Sequence, residues 1–422
     1  MPNRSRRRQR GAAALFVTVM LCFAMVLAVA LAQRNVVVEE QRSANDQRSS
    51  IAFAAADAGL EWALARINDP APIAPTCLPS TDPTARSFRA RMLRIDPASG
   101  AVAPTTWDDA GTATALRAAC VRNAAGWTCS CPASGLPALP AAAGGALAPA
   151  FVVELAPSAR RGVVRVVATG CTKTDDAGCA PATATGRDAT ARVETAWALL
   201  PALRSAPAAA ITVGGDLDVG GAALGVHNGD ARSGGLALHA GGRIVAAGLR
   251  IGAPPGAPLG ASIAAGDDSL RALAIGRLFA RHFGMDRAAW AAQPAARRVA
   301  CAGDCTDTIA TAVAAGARLL VLDGDATLAG PLALGSADDP VVLVAGALRL
   351  SGDVALHGVV HAAAFEWNDA ASGRAFVRGA LVVVGNVGGN AAADIVRDAV
   401  VLDQLAHGSG SFVRVNGSWK DF

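Results

Sequence analysis

Tyrosine is absent from this 422-residue sequence, and lysine occurs twice against 36 arginines. We attribute this skew to the base composition of the gene, so it supports no inference about function. Charged residues make up 17% of the chain, the net charge is +4, and basic residues are spread out apart from one N-terminal cluster. Nucleic-acid-binding proteins instead concentrate Lys and Arg on one face. Composition therefore predicts no nucleic-acid partner.

The motifs of common catalytic sites are also missing. There is no G-x-S-x-G nucleophile elbow, and the glycine-rich run 214–225 lacks the Lys-Ser/Thr ending and the βαβ setting of a phosphate-binding loop. No Ser/His/Asp or Cys/His set stands out. We predict no enzyme, no catalytic residues, no metal and no cofactor. A carbohydrate-active β-helix enzyme, with Asp216, Asp218, Asp323 and Asp325 as candidate acids, is the least favoured hypothesis.

One segment is long and apolar enough to cross a membrane. Residues 11–32 carry no charge, whereas residues 1–10 contain five arginines and no acid. At about 1.5 Å per residue the stretch reaches roughly 33 Å, enough for a hydrocarbon core of about 30 Å. A secretory signal peptide fits less well because its apolar region is usually about 7–15 residues. The basic leader 1–10 favours a cytoplasmic N-terminus, a single pass through the inner membrane and a periplasmic remainder.

The span continues without a helix breaker. Residues 33–68 contain no proline and a single glycine, Gly59. Apolar residues recur there at spacings of three and four, which is typical of an amphipathic helix: Phe53, Ala56, Leu60, Leu64 and Ile67. The pattern predicts one transmembrane and amphipathic helix over 11–68.

The N-terminal region resembles a known family. The run RGAAAL at 10–15, the apolar span and the stretch VVVEEQRSANDQRSSIAFAAADAGLEWAL occur in the order found in the N-terminal domain of PilX-type type IV pilus assembly proteins, which are minor pilin-like. The resemblance covers about the first 68 residues. It implies cleavage by prepilin peptidase between Gly11 and Ala12.

The same resemblance assigns roles to the start of the helix. It implies that Leu15, Phe16 and Val19 pack among pilin helices in the membrane bundle. Most major pilins carry a Glu where this chain has Phe16, so the resemblance favours a tip or priming subunit. The implied partners are other minor pilins, the major pilin, prepilin peptidase and a tip adhesin, with a final location in the pilus fibre. The alternative is a membrane-anchored β-helical adhesin or binding protein.

The remainder of the chain divides near residue 207. Residues 69–207 are predicted to form a disulfide-bonded pilin-like head, in which β-patterned runs at 151–155, 162–168 and 191–199 build a small antiparallel sheet. Residues 69–149 are read as loops and short elements. The fold class is thus α+β.

From 208 to 422, short apolar runs alternate with Gly and Asp, which predicts a β-solenoid or β-helix-like domain. The end of the chain, 412–422, is similar to the C-terminus of large PilX-like proteins with β-helical tails. A helical insert is predicted near 267–284. Asp267 and Asp268 are the candidate N-caps, and Gly284 is suited to the C-terminal end. Four apolar residues fall roughly on one face of this helix: Leu270, Ala274, Leu278 and Phe283.

Nine cysteines are present, and Cys22 falls within the span. The other eight are expected on the side of the membrane where disulfides persist. Cys171 and Cys179 bracket a loop rich in turn-forming residues, and Cys301 and Cys305 enclose three residues. Both pairs are predicted to form local disulfides.

The remaining four cysteines leave two pairings open. Cys129 and Cys131 lie two apart and face the same way on a strand, so each is expected to bond elsewhere. Cys77 and Cys120 are the available partners. A zinc site is less favoured because no second C-x2-C or H-x3-H pair lies nearby.

Two other patterns have structural interpretations. His357 and His361 lie four apart in one predicted strand and are expected to pack against adjacent coils. The pairs Asp216/Asp218 and Asp323/Asp325 are similar to the start of calcium loops, but neither continues into D-x-D-x-D-G with a Glu at the twelfth position. They are predicted to be turn and surface residues.

We predict that the mature protein begins at Ala12 in cells that contain prepilin peptidase, because the basic-glycine junction precedes the span. N-terminal sequencing of the purified protein measures this. A retained Met1 in a peptidase-competent strain would contradict it, and a strain without the peptidase provides the uncleaved control.

Overall fold

The computed structural model describes residues 7–82, 84–140, 147–173, 179, 188–273, 275–301 and 303–421. Its longest element is helix α1 (Arg7–Asn68), with 62 residues and no break. The continuous helix predicted over 11–68 is therefore confirmed. Among the described residues, α1 is the one helix long and apolar enough to span a membrane. The remainder is rich in β-strands, as the α+β prediction requires.

Short elements follow α1. They are α2 (Phe88–Met92), the antiparallel pair β1 (Leu93–Ile95) and β2 (Val102–Pro104), and the hairpin β3 (Thr106–Asp109) and β4 (Thr112–Ala115). Ser87 caps α2, since its hydroxyl accepts a hydrogen bond from the Ala90 amide. The segment read from sequence as loops and short elements thus contains two small sheets.

An antiparallel sheet packs beside the second half of α1. Its first five strands are β5 (Arg117–Asn123), β6 (Gly126–Ser130), β7 (Ala150–Pro157), β8 (Val163–Cys171) and β9 (Thr190–Pro201). The last three contain the three β-patterned runs except for Gly162, which precedes β8, so that prediction is confirmed. In β9, Val193, Thr195 and Trp197 are buried and alternate with Arg192 and Glu194, as a strand with one face on a core requires.

Helix α1 contacts strands β7, β8 and β9, a surface that we call the helix seat. The helix turns one narrow face toward it, formed by Ala52, Ala55, Ala56, Leu60, Ala63 and Ile67, all of them buried. Small residues permit a close approach. A Cβ atom added at Gly170 in β8 would lie 2.0 Å from the Ala52 carbonyl oxygen and 2.4 Å from the Ala56 nitrogen. Glycine at 170 is therefore what lets the helix backbone lie against the sheet.

The chain after β9 forms mostly short strands. They are β10 (Ile211–Val213), β11 (Leu217–Gly220), β12 (Gly225–His227), β13 (Leu238–Ala240), β14 (Ile244–Ala246), β15 (Arg250–Gly252), β16 (Ile263–Ala264), β17 (Ala296–Ala300), β18 (Gly303–Asp304), β19 (Leu319–Asp323), β20 (Ala326–Ala329), β21 (Leu332–Leu334), β22 (Val341–Val344), β23 (Ala347–Ser351), β24 (Val354–Ala362), β25 (Ala364–Asn368), β26 (Phe376–Val383), β27 (Val387–Gly389) and β28 (Asp394–Arg397).

Helices lie between and after these strands. They are α3 (Asp268–Arg271), α4 (Ile275–Phe283), α5 (Arg287–Ala291), α6 (Thr306–Ala314) and α7 (Ala399–Asp403), and a π-helical turn, Gln404–Gly408, follows α7.

Strands β10 to β28 pair in parallel in two sheets, which together we call the parallel stack. Within the described residues one sheet has twelve strands and the other has seven. The first contains the path β15-β12-β28-β26-β24-β22-β19-β17, and the second runs β14-β11-β27-β25-β23-β20-β18. Neighbouring strands in these paths are therefore not always neighbours in the chain.

A ladder of apolar side chains fills the interior of the parallel stack. Register pairs connect six buried residues on successive strands: Leu320, Leu343, Val360, Leu381, Ile211 and Leu238. The opposite face of the same strands is apolar too, and Phe279, Phe283 and Trp290 of α4 and α5 cover it. Strands buried on both faces explain the continuous apolar runs in the sequence.

The helical insert differs from the prediction in one respect. Asp267 is the N-cap, since its carboxylate accepts hydrogen bonds from the Ser269 and Leu270 amides, and Gly284 follows the last residue of α4 with φ +75°. However, two helices stand where one was expected, because α3 ends at Arg271 and α4 begins at Ile275. Leu270, Leu278 and Phe283 are buried as predicted, whereas Ala274 lies outside the described residues.

The last two strands return to the antiparallel sheet. Strands β29 (Gly410–Arg414) and β30 (Lys420–Asp421) both pair with β9, so this sheet has seven strands within the described residues. Phe412 is fully buried in the core that also holds the inner face of α1. The expected domain limits stay a prediction, but the end of the predicted 208–422 domain pairs with a strand of the predicted head.

We predict that Gly170→Ala destabilises the helix seat by about 1–3 kcal/mol, the usual cost of overpacking. The added methyl would overlap backbone atoms of α1, which cannot rotate away. Urea unfolding followed by tryptophan fluorescence measures the effect, because Trp62 and Trp197 lie in this core.

The matched control is Gly221→Ala, where nothing lies within 4 Å of an added Cβ. Unfolding midpoints for Gly170→Ala that equal those of the wild type and the control would show that α1 does not need this close approach.

Candidate functional site

The first half of α1 is an apolar helix that no other described residue covers. Leu15, Phe16 and Val19 are 68%, 64% and 59% exposed, and the residues around them are exposed as well. The hydroxyl of Thr18 donates to the carbonyl oxygens of Ala14 and Leu15, at 3.1 and 2.9 Å, so this polar group is satisfied within the helix. Such a surface is compatible with lipid or with other apolar helices.

The predicted cleavage site lies at the start of the same helix. Gly11 and Ala12 both belong to the backbone of α1. Cleavage between them stays a prediction, as do the packing partners of Leu15, Phe16 and Val19.

An apolar groove lies beside the second half of α1. Its volume is about 930 Å³, and α1 contributes Ile51, Ala54 and Ala58 to its wall. Trp127 and Leu147 form part of the opposite wall and are 41% and 53% exposed. Exposed apolar surface on α1 thus continues beyond the uncharged stretch 11–32.

The C-terminal end of α1 is fixed by hydrogen bonds to the end of the chain. The side-chain nitrogen Nδ2 of Asn68 donates to the Phe412 carbonyl oxygen at 2.9 Å, and the backbone amide of Phe412 donates to Asn68 Oδ1 at 2.8 Å. Asn68 is itself buried. The Asn68 side chain therefore satisfies both the N–H and the C=O of Phe412, as a neighbouring strand would, although 344 positions separate the two residues.

Arg89 supports the same junction. Its Nε donates to the Ile67 carbonyl oxygen at 2.9 Å, its Nη2 donates to the Gly410 carbonyl oxygen at 2.7 Å, and its guanidinium lies 5.2 Å from the centre of the Phe412 ring. Burial lowers the pKa of Arg89 to about 10, so the side chain is still charged at neutral pH. A cation at a helix C-terminus interacts favourably with the helix dipole.

Four disulfide bonds occur among the described residues. Cys171 is bonded to Cys179 and Cys301 to Cys305, the two local pairs expected from the sequence. The other four cysteines, whose pairing the sequence left open, form the bonds Cys77–Cys131 and Cys120–Cys129. Cys22 is free and exposed on α1.

Two of these bonds stabilise the neighbourhood of the helix seat. Cys120 and Cys129 are directly opposite each other on β5 and β6, so their bond fixes the register of that hairpin. Cys77–Cys131 joins the segment after α1 to the end of β6, and Cys77, Cys120 and Cys131 are buried in the same core as the inner face of α1.

The two histidines of β24 do not form an open site. His361 is 4% exposed and lies edge-on to Phe279 and Phe283, with neither ring nitrogen hydrogen-bonded to a described residue. Burial lowers the pKa of His361 to about 4, with smaller contributions from nearby His282 and Arg287. His357 is partly buried beside Phe376. These contacts agree with the expected structural role.

Three of the four aspartates accept backbone amide hydrogen bonds, Asp218 within its own turn and Asp216 and Asp325 from residues 27 and 22 positions away. Asp216 Oδ1 accepts the Arg243 amide and Asp325 Oδ1 accepts the Ala347 amide, both at 2.8 Å, whereas Asp218 accepts the Gly220 amide at 3.1 Å. Asp323 is exposed at the end of β19. Among the described residues there is no cluster of three or more His, Cys, Asp or Glu side chains that is suited to a metal ion.

Comparison with known proteins gives no match, since no family model, no curated protein and no solved structure is similar to this chain.

Sequence reasoning missed the residues that hold α1. Gly170, Asn68, Arg89 and Phe412 act through long-range contacts, and no local periodicity singles them out. A partial signal was the apolar start of the C-terminal run FVRVNGSWKDF, whose Phe412 enters the core.

We predict that thiol labelling of unreduced, denatured protein modifies Cys22 and no other cysteine. The eight remaining cysteines are paired, so they lack the thiol that the reagent needs. Peptide mass spectrometry locates the label, and a Cys22→Ser variant is the unlabelled control. Labelling at Cys77 or Cys120 before reduction would contradict the prediction.

Proposed function

We propose that this protein is a minor pilin-like structural and priming subunit of type IV pilus assembly, at or near the fibre tip. The observation that carries the proposal is the division of α1. One continuous helix is bare and apolar in its first half and is held by a disulfide-bonded antiparallel sheet in its second half.

This division suits a subunit that leaves the membrane within a fibre. A simple anchor needs about 20 apolar residues and can end where the membrane ends. Here the helix continues rigidly to Asn68, so its span cannot change direction relative to the sheet without breaking backbone hydrogen bonds. Other apolar helices then replace lipid around Leu15, Phe16 and Val19, and the groove beside α1 offers further apolar surface. Other minor pilins and the major pilin are the proposed partners.

The parallel stack is, in this proposal, a β-solenoid displayed by the subunit. Support comes from parallel pairing throughout both sheets and from the ladder of buried Leu, Val and Ile side chains. The inner membrane, with the stack on the periplasmic side, is the proposed location before assembly. Four disulfides favour that oxidising compartment.

The priming role rests on Phe16. A Glu at this position in the family is thought to pair with the N-terminal amine of a neighbouring subunit, and an unpaired charge in lipid is costly. Phe16 is apolar and makes no such pair. A subunit of this kind is suited to the first position of a fibre, where no neighbour lies above it, rather than to repeated addition.

We predict that sheared fibres contain this protein at a small fraction of the major pilin's abundance. Quantitative proteomics measures the ratio, and a deletion strain is expected to make few fibres, with those that form having ordinary length. Recovery in amounts comparable to the major pilin would exclude the priming role.

A pair of variants tests the position itself. Phe16→Glu is expected to raise the recovered amount, because it restores the partner for the neighbouring amine, whereas Val19→Glu places the charge about one turn away and is expected to lower it. Equal effects of the two substitutions would show that position 16 has no special role.

A further inference from the structure

The parallel stack is not wound in chain order. The chain enters it at β10, and the strands β10 to β16 form one end of the stack. The chain then crosses along α3, α4 and α5 to β17, which forms the opposite end. From there it returns through β19, β22 and β24 to β26, which pairs with β10. The first and last coils therefore meet in the middle of the stack.

We call this junction the seam. It consists of three parallel pairs, β10 with β26, β11 with β27 and β12 with β28. Until β26 to β28 are in place, the edges of β10 to β12 have no partner on that side. An unpaired strand edge is exposed to other chains.

Polar side chains fix the seam. Arg397 Nη1 bonds to Asp230 Oδ2 at 2.8 Å, with the two side chains 8% and 16% exposed, and Arg397 Nε donates to the Pro207 carbonyl oxygen at 2.9 Å. Asn386 Oδ1 accepts the Asp216 amide at 2.9 Å across 170 residues of sequence. These bonds join the last coil to the first and to the segment that follows β9.

The last coil also sets the position of β29. One short segment, α7 and the π-helical turn, separates β28 from β29. This segment is attached to the chain just after β9, because the Leu203 amide donates to the Leu405 carbonyl oxygen at 3.2 Å and the Ala202 amide to the Ser409 carbonyl oxygen at 2.9 Å. Strand β29 then brings Phe412 to Asn68 and Gly410 to Arg89. We call β29 with these bonds the latch.

We propose that the latch makes the fixing of α1 conditional on closure of the seam. Helix α1 precedes β29 in the chain, so it is synthesised before β29 exists. Incomplete or misfolded parallel stacks then leave Asn68 and Arg89 without their C-terminal partners. In this proposal, the position of α1 is fixed only after the whole parallel stack has folded. This is a conformational checkpoint within one chain, and it stands whether or not the protein enters a pilus.

Amide hydrogen exchange on the full chain in detergent micelles tests the proposal. Arg397→Met removes the buried ion pair at the seam and lies outside the helix seat. We expect exchange to rise at least tenfold in the seam strand β26, in β29 and in the last turns of α1. The control is Arg374→Met, since Arg374 is exposed and makes no side-chain bond among the described residues. It should leave all three segments at wild-type rates.

Two outcomes would overturn the proposal. In the first, Arg397→Met speeds exchange at β26 while β29 and α1 keep wild-type rates, so the seam and the latch are independent. In the second, all three segments are unchanged. If Arg397→Met yields no folded protein, Asn68→Ala replaces it. Coupling is reciprocal, so loosening the latch must then speed exchange at β26, and an unchanged β26 would refute the checkpoint.

Discussion

The close contact between α1 and β8 is the constraint on which the structure depends. The first half of α1 is exposed and packs against no other element among the described residues, so the contacts of the second half must fix the position of the helix. Gly170 and the alanines at 52, 55 and 56 bring two backbones together, and dispersion forces fall steeply with separation. The neighbouring strands and disulfides are then needed to keep β8 in place against the helix.

A buried helix end raises a second problem, because its last carbonyl groups have no partner within the helix. The Asp69 amide donates to the carbonyl oxygens of Ala65 and Arg66, and Arg89 donates to that of Ile67. The side chains of Arg89 and Asn68 also bond to β29. The charge of Arg89 has carbonyl and ring partners rather than a carboxylate, and burial lowers its pKa to about 10. The end of α1 is therefore bonded to a strand that lies more than 300 positions later in the sequence.

Local patterns predicted the elements whose causes are local. The helix α1, strands β7 to β9 and the short disulfide loops follow from periodicity, alternation and spacing within a few residues. The partner of β10 does not, because Ile211 would fit beside many apolar strands and its actual neighbour, Leu381, is selected by the whole stack. The same holds for Phe412, and for the choice between Cys120 and Cys77 as partner of Cys129. The residues predicted for the membrane bundle need a second molecule before their contacts exist.

Because the first and last coils pair in the middle of the stack, the strands at its two ends each have one edge that is unpaired within the described part of the chain. Such edges can pair with other chains. At one end, α6 follows β18 and buries Ile309 in the core of the stack, with Cys301–Cys305 stapling the turn that precedes it. At the other, the segment between β15 and β16 contains Pro254, Pro255 and Pro258, which cannot donate to an added strand. Both features disfavour the addition of a further strand at the ends of the stack, whereas the apolar residues of the first half of α1 are exposed.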